Sequence, residues 1–340
     1  MGLLGNISKY IYGVNMNYFI KNPLVSVRII TYQHICYIKK CIESAIKQST
    51  NFSYEICIGD DGSTDGTYEI CYEYSIKYPE LITLYRWGRD CKERENLPVS
   101  RYNFLNSISK CRGKYIAFLD GDDYWTNPHK LQTQVDILEK NNNISLVTHN
   151  AVLLSDDKKN GKVLGCKAES GIIPANSVIR RENGVIQTST MVVRRDVLED
   201  VSGLLRIAPA VDYCLNLLSL MSGKIYHIDQ EMSIKRKHAG SLSGQDKDMQ
   251  WYIDYHQAFM SSLNIFNEQT NNKYIEDLKV FRQKTDVQFL KRLIRSGFSK
   301  NLLNNRKYIF KILLRINIIT YIKLLIMYIK LKYFPESVTI

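Results

Sequence analysis

A chain of 340 residues is long enough for roughly two domains, and 45% hydrophobic with 24% charged residues is a globular balance that excludes a disordered or fibrous protein. The formal charge of +12 comes with no recognised nucleic-acid motif, so nucleic acid is not an expected partner. The eight cysteines, Cys36, Cys41, Cys57, Cys71, Cys91, Cys111, Cys166 and Cys214, include no CxxC pair; scattered over apolar positions, they predict free thiols in a reducing compartment.

The first segment, "MGLLGNISKYIYGVNMNYF", lacks a basic start and an uninterrupted apolar run, and Asn6 stands where a myristoylation signal needs Ser or Thr. An N-terminal extension over residues 1–22 without a cleaved signal is expected. Strand and helix then alternate. "LVSVRII" (Leu24 to Ile30) is a β-branched strand, Ile35, Ile38, Ile42, Ala45 and Ile46 share one helical face, and "YEICI" (Tyr54 to Ile58) is a second strand. A helix through Ile70 and Tyr74 runs to about Tyr78 before Pro79. "LITLY" (Leu81 to Tyr85), a helix around Asn103 to Ser109, "KYIAFL" (Lys114 to Leu119) and a helix after Pro128 complete the series. Such βα units imply an α/β fold with a mainly parallel sheet and helices on both faces. After Asn150 the pattern is irregular to about Gly244, and beyond Trp251 it is helical and basic.

Two acidic clusters sit at the carboxyl ends of predicted strands, where open α/β sheets place their ligand crevice. The first is "CIGDDGSTDG" (Cys57 to Gly66). Asp61, Ser63, Asp65 and Gly66 match the opening of a calcium loop, but Tyr72 occupies the place of the closing Glu and a strand, not a helix, precedes the loop. Calcium is therefore excluded; Ser63, Thr64 or Asp65 instead suits the cap of the following helix. The second is "FLDGDDYW" (Phe118 to Trp125). Asp120 and Asp122, two apart in extended backbone, project to one side and can grip one hard cation. Two carboxylates suit Mg²⁺ or Mn²⁺ completed by water and substrate phosphates. A solvated acidic turn is the competing reading, disfavoured by the repulsion of three aspartates at the end of an apolar strand.

From Leu302 to Phe334 the basic residues Arg306, Lys307, Lys311, Arg315, Lys323, Lys330 and Lys332 are interrupted by no Asp or Glu. The apolar runs between them are too short to span a bilayer. They fit equally a helix lying on an anionic membrane surface and a basic cap docked on the main domain.

Together "SVRIITYQH", "YEICIGDDGSTDGT", "GKYIAFLDGDDYWTNPHKLQTQVDILEKN", "VDYCLNLLSLMSGKIYHIDQEMS" and "KRKHAGSLS" resemble, in order and separation, the family 2 glycosyltransferases of the GT-A fold, in particular the bacterial polysaccharide and glycan branch. The likeness runs from about Leu24 to Ser243. It implies a GT-A domain over 23–245, with a nucleotide-binding half (23–125) and an acceptor-binding half (126–245), followed by a helical basic region over 246–340. It implies a nucleotide-sugar donor, a UDP-sugar, and a glycan or lipid-linked acceptor, joined by an inverting displacement in surface polysaccharide synthesis on the cytoplasmic face of the inner membrane. By resemblance Tyr32 stacks on the base and Asp61 accepts its hydrogen bond. Asp120 approaches the ribose or the metal, Asp122 holds Mn²⁺ or Mg²⁺, Asp212 is the base, and His238, with Arg236 nearby, completes the metal or diphosphate site. Ile30 and Gln33 depart from the family's usual Pro and Asn, and Val211 from the Glu or Gly that often precedes the base aspartate.

Three other classes compete with this one. A nicotinamide oxidoreductase requires a G-x-G-x-x-G after the first strand, and "ITYQHICYI" has no glycine. A nucleotidyltransferase requires a Gly- and Lys-rich phosphate loop there, which is also missing. A catalytically silent carbohydrate- or nucleotide-sugar-binding scaffold stays open, because a binding aspartate and a base aspartate look alike in one sequence.

Overall fold

The computed structural model describes residues 22–89, 94, 97, 101–155, 158–199, 203–241, 248–295 and 305–333. The N-terminal extension up to residue 21, Cys91, the boundary at 245, and residues 302–304 and 334 of the tail lie outside them. Chain order runs β1 (Val25–Thr31), α1 (Ile38–Ile46), β2 (Tyr54–Asp60), α2 (Thr67–Lys77), β3 (Ile82–Arg86), α3 (Arg101–Lys110), β4 (Tyr115–Asp120), β5 (Tyr124–Trp125) and α4 (Lys130–Lys140). Then come β6 (Ile144–Ser155), β7 (Lys158–Leu164), β8 (Gly171–Ile173), α5 (Ala175–Arg180), β9 (Val192–Arg194), α6 (Leu204–Ile207), α7 (Val211–Ser222) and β10 (Lys224–Lys237). Four helices follow: α8 (Met249–Gln269), α9 (Ile275–Arg295), α10 (Arg306–Leu313) and α11 (Ile318–Tyr333).

The strands form one sheet in the order β3-β2-β1-β4-β9-β6-β10-β5, with β7 beside β6 and β8 beside β10. Pairs β1–β2, β1–β4, β2–β3 and β6–β10 are parallel. The short β9 is antiparallel to both β4 and β6, which makes the sheet mixed around a parallel core. Alternation along each strand divides the interior into two layers. Val25, Val27 and Ile29 of β1, with Tyr115, Ala117 and Leu119 of β4, pack against Ile38, Cys41, Ile42 and Ala45 of α1 and against α4. Ile116 and Phe118 face the other way, onto Phe104 of α3, α7 and α8. Each fully buried aliphatic contributes about 1.5–3 kcal/mol, so Ile29→Ala, which also leaves a cavity, would cost about 2–5 kcal/mol.

The described residues between 150 and 241 form regular elements, contrary to the irregularity expected from sequence for 150 to 244. They make up the outer half of β6, then β7 to β10, with α5 to α7 between them. Polar residues inside β6 (Thr148, His149, Asn150) hide its strand pattern, and register shifts between Ile228 and Ser233 interrupt the alternation of β10. The seven described cysteines are unpaired, all buried except Cys36. Among the described residues no helix is long and apolar enough to cross a membrane. In the tail, Ile312, Ile316 and Leu324 are buried against Ile253 of α8 and Phe289, Leu290 and Leu293 of α9.

Candidate active site at the carboxyl edge of the sheet

Strand β1 lies between β2 and β4, and the chain leaves it for β2 on one side and returns as β4 on the other. This is a topological switch point, where the carboxyl ends of adjacent parallel strands open a crevice. In register, Thr31 stands opposite Asp60, and Ile30 opposite both Gly59 and Asp120. Tyr32, Asp61 and Asp122 therefore follow three neighbouring strands at one edge.

The hydroxyl-rich stretch after β2 holds the loop after β1. Ser63 Oγ accepts from Gln33 N–H (3.0 Å), Thr67 Oγ1 from His34 N–H (2.8 Å) and Asp65 Oδ2 from Ile35 N–H (3.1 Å). The amide of Gln33 exchanges two further bonds with Thr64. Of the caps expected for the next helix, only Asp65 reaches it, accepting from Thr67 N–H at 3.0 Å; Ser63 and Thr64 are committed to the loop instead. Gln33 sits at φ 55°, a left-handed conformation that Asn tolerates better than Gln, so the backbone does not explain the departure noted there. Asp60 is structural: its Oδ2 accepts from Gly62 and Ser63 N–H.

Beside this loop, Asp61 is 3% exposed and Tyr32 is 40% exposed. Arg94 donates to Asp61 Oδ1 at 2.6 Å, and Arg89 lies 3.9 Å from Oδ2. The Arg89 guanidinium also stacks 4.0 Å from the centre of the Tyr32 ring. Tyr32 and Asp61, both named from sequence, are thus linked through Arg89, which with Arg94 is a residue that sequence reasoning missed. Arg89 covers one face of the Tyr32 ring.

After β4, Asp122 Oδ2 lies 3.2 Å from His238 Nε2. Burial alone would raise the Asp122 carboxyl, but the His238 hydrogen bond and the charge of Lys235 hold it well below the usual carboxylate range. His34, Asp122 and His238 each offer a ligand atom, and these atoms lie within 4.8 Å of one another. Asp120 is partnered elsewhere: Lys235 Nζ lies 3.6 Å from its Oδ2 and 3.2 Å from Asp123 Oδ2. Burial would lower the Lys235 ammonium, but Asp123, Asp120 and Asp122 outweigh it and keep it charged. Lys235 is shared between Asp120 and Asp123, and burial, with Asp122 and Asp120 nearby, pushes the Asp123 carboxyl up to about 7; the oxygen and imidazole donors of the cluster fit a divalent cation. Arg236 is buried; its N–H bonds Asp123 Oδ1 (2.9 Å), and its guanidinium bonds the Asp122 carbonyl (2.5 Å) and lies over the Tyr124 ring. It braces the acidic loop.

Asp212 lies in the first turn of α7, partly exposed, with Arg181 Nη2 at 3.8 Å. Its ion pair is with Arg181, at the end of α5, and among the described residues no ion pair joins it to the acidic loop. The remaining residues missed in the sequence are His34 and Lys235. The signal for His34 was its place directly after the first strand; Lys235 had none beyond its nearness to His238.

A family model described as glycosyl transferase family 2 matches residues 26–202. An uncharacterized protein of Mycobacterium tuberculosis is 29% identical over 219 residues, 64% of this chain and 60% of that one. The putative teichuronic acid biosynthesis glycosyltransferase TuaG of Bacillus subtilis is 33% identical over 116 residues, 34% of this chain and 42% of that one. The chain thus spans about 60% of the mycobacterial relative's length. The fold is that of the crystal structure of S. aureus TarS 1–349 in complex with UDP-GlcNAc: TM-score 0.58 at 15% identity, covering 85% of this chain and 79% of that one.

Proposed function

The chain belongs to glycosyl transferase family 2, and from that premise we propose that it transfers a sugar from a nucleotide-diphosphate donor to a glycan or lipid-linked glycan acceptor in surface polysaccharide synthesis. The observation that carries this is the convergence, at three adjacent strand ends, of an aromatic ring and carboxylate (Tyr32, Asp61) with an acidic metal-type cluster (Asp122, His238). A donor needs that order: base, diphosphate, sugar. Asp61 suits an imide N–H such as uracil's, and the TarS structure is a complex with UDP-GlcNAc. Arg89 must leave the Tyr32 ring or stack outside the base as the donor enters.

Asp122 and His238, with Asp120 beside them, would hold a divalent cation, and that ion would supply positive charge to offset the charge of the departing diphosphate. Asp212 takes the proton of the acceptor hydroxyl as that oxygen attacks the anomeric carbon from the opposite face, which inverts the configuration. Lys235 and Arg236 fix the acidic loop meanwhile. The test is release of free nucleotide diphosphate from a panel of nucleotide-sugars with Mn²⁺ or Mg²⁺ and acceptor extracts. Asp122→Ala is expected to abolish transfer and metal-dependent donor binding while the protein stays folded; normal turnover in that variant with added Mn²⁺ would refute the metal assignment.

The place of work is proposed to be an anionic membrane surface. While one stripe of the tail docks on α8 and α9, the opposite one leaves Phe310, Leu314, Ile319, Ile322 and Ile326 exposed, and Arg306, Lys307, Lys311 and Lys323 are exposed with them. Apolar residues flanked by basic ones are the composition of an interfacial helix. Docked cap and membrane face are thus two sides of one element.

A further inference from the structure

We infer that His34 is a third protein ligand of the metal, so that His34, Asp122 and His238 form a two-histidine, one-carboxylate set that takes Mn²⁺ or a related transition metal in preference to Mg²⁺. This rests on the metal site proposed above and assigns a residue to it from outside the acidic motif.

The three ligand atoms already lie within 4.8 Å of one another, and metal–ligand bonds of about 2.0–2.2 Å close such a span with small side-chain movements. His34 Nδ1 lies 3.2 Å from the Thr31 hydroxyl. Ligating histidines keep such a partner on the ring nitrogen that does not bind the metal, which assigns Nε2 to the ion.

The position of His34 is built in. Its N–H is bonded to buried Thr67, and its neighbours Gln33 and Ile35 are bonded to Ser63 and Asp65. Across the crevice the residue between the motif aspartates is Gly121. A Cβ there would lie 2.8 Å from His34 Nδ1 and equally close to Thr31 Cβ, so only glycine lets the acidic loop approach the imidazole. Asp120, the motif's other carboxylate, is drawn toward Lys235. Two imidazoles in place of a second carboxylate shift selectivity from Mg²⁺, which prefers oxygen, toward later first-row ions.

The experiment is direct metal binding to the purified full chain. Calorimetry with MnCl₂ and MgCl₂ is paired with pulsed EPR of bound Mn²⁺, which counts coordinated imidazole nitrogens. The expected result is Mn²⁺ bound at least about tenfold more tightly than Mg²⁺ with two imidazoles. His34→Gln should lose about tenfold in Mn²⁺ affinity and one imidazole, with little change for Mg²⁺. Gly121→Ala, which keeps every ligand but displaces His34, should also show one imidazole, and it serves if His34→Gln does not fold. One imidazole in the unaltered protein, or two in His34→Gln, would overturn the inference. Nucleotide-sugar turnover is scored separately: transfer with a single-imidazole site refutes His34 and leaves the proposed function standing, whereas a two-imidazole site in a protein that turns over no nucleotide-sugar does the reverse.

Discussion

The main-chain N–H of His34 donates to the side-chain oxygen of Thr67 over 2.8 Å, tying the end of β1 to the first turn of α2. Thr67 is fully buried and also donates to Asp65 Oδ1 at 2.6 Å. Thr67→Val keeps the shape and removes the hydroxyl, leaving the His34 N–H without its acceptor, while Asp65 Oδ1 loses one of two donors and keeps the Thr67 N–H. The expected loss is about 1–3 kcal/mol in chemical unfolding, with a higher metal concentration needed for half-maximal turnover. Thr67→Ser should restore both. Unchanged stability and metal requirement in the valine variant would show that the loop holds itself.

Asp212 pairs with Arg181, whereas Asp122 pairs with His238 and Asp120 with Lys235, so chemistry and donor binding should separate on mutation. Asp212→Asn preserves shape and should lower turnover by about 10²–10⁴-fold, the range of general-base catalysis, while donor affinity barely changes. Weakened donor binding with intact turnover at saturation would make it a binding residue.

The parallel half of the fold was legible because its strands are β-branched runs and its helices carry apolar faces at helical spacing: α1 shows Ile38, Cys41, Ile42 and Ala45 buried on one side. Of the site, the two acidic clusters that hold Asp61 and Asp122 stood out because strand ends are where open α/β sheets bind ligands, while Tyr32 came from the family resemblance alone. What sequence could not give was pairing across the chain. That Asp120 faces Lys235 and Asp122 faces His238 depends on β10 returning beside β5, after more than a hundred residues whose strand pattern is broken by bulges and buried polar side chains. The role of Ser63 and Thr64 was misread for the same reason: a hydroxyl before a helix suggests a cap, and only the approach of β1 to β2 shows the loop that takes it.

Lys130 offers a test of an interior charge. Its side chain is fully buried, its Nζ has no hydrogen-bond partner among the described residues, and it lies 4.1 Å from the centre of the Trp125 ring. Burial pushes the ammonium well below its ordinary range, because a cation–π contact of about 2 kcal/mol does not offset the several kcal/mol of desolvation. Between the folded and unfolded values the unfolded chain takes up a proton that the fold rejects, so this group's contribution to stability rises as pH climbs toward about 10.4. Lys130→Met, similar in length and apolar, should be at least as stable near neutral pH. Its advantage should shrink near pH 10. Urea unfolding at the two pH values checks this; an advantage that grows with pH would show the lysine to be charged in the fold.

The tail predicts a salt-sensitive membrane affinity that can be removed without unfolding. Deleting the tail would uncover Ile253, Phe289 and Leu290 and confuse lost binding with lost stability. The docked state has its own lock besides: Arg315 Nε lies 3.0 Å from buried Asp286 Oδ2, and the Tyr308 hydroxyl lies 2.6 Å from His256 Nδ1. The sharper variant is therefore Phe310→Ser with Leu314→Ser, two residues 61% and 70% exposed, whose loss leaves the docked stripe intact. Each basic residue near an anionic surface contributes about 1 kcal/mol, and insertion of apolar side chains adds to it. In sedimentation with liposomes, the unaltered protein should bind anionic vesicles at low salt, less at high salt, and neutral vesicles weakly. The double variant should bind several-fold less at unchanged melting temperature, and Lys307→Glu with Lys311→Glu should abolish the preference for anionic lipid. Equal partition of all three proteins into the supernatant under every condition would remove the membrane from the proposal and leave the exposed face to a protein partner.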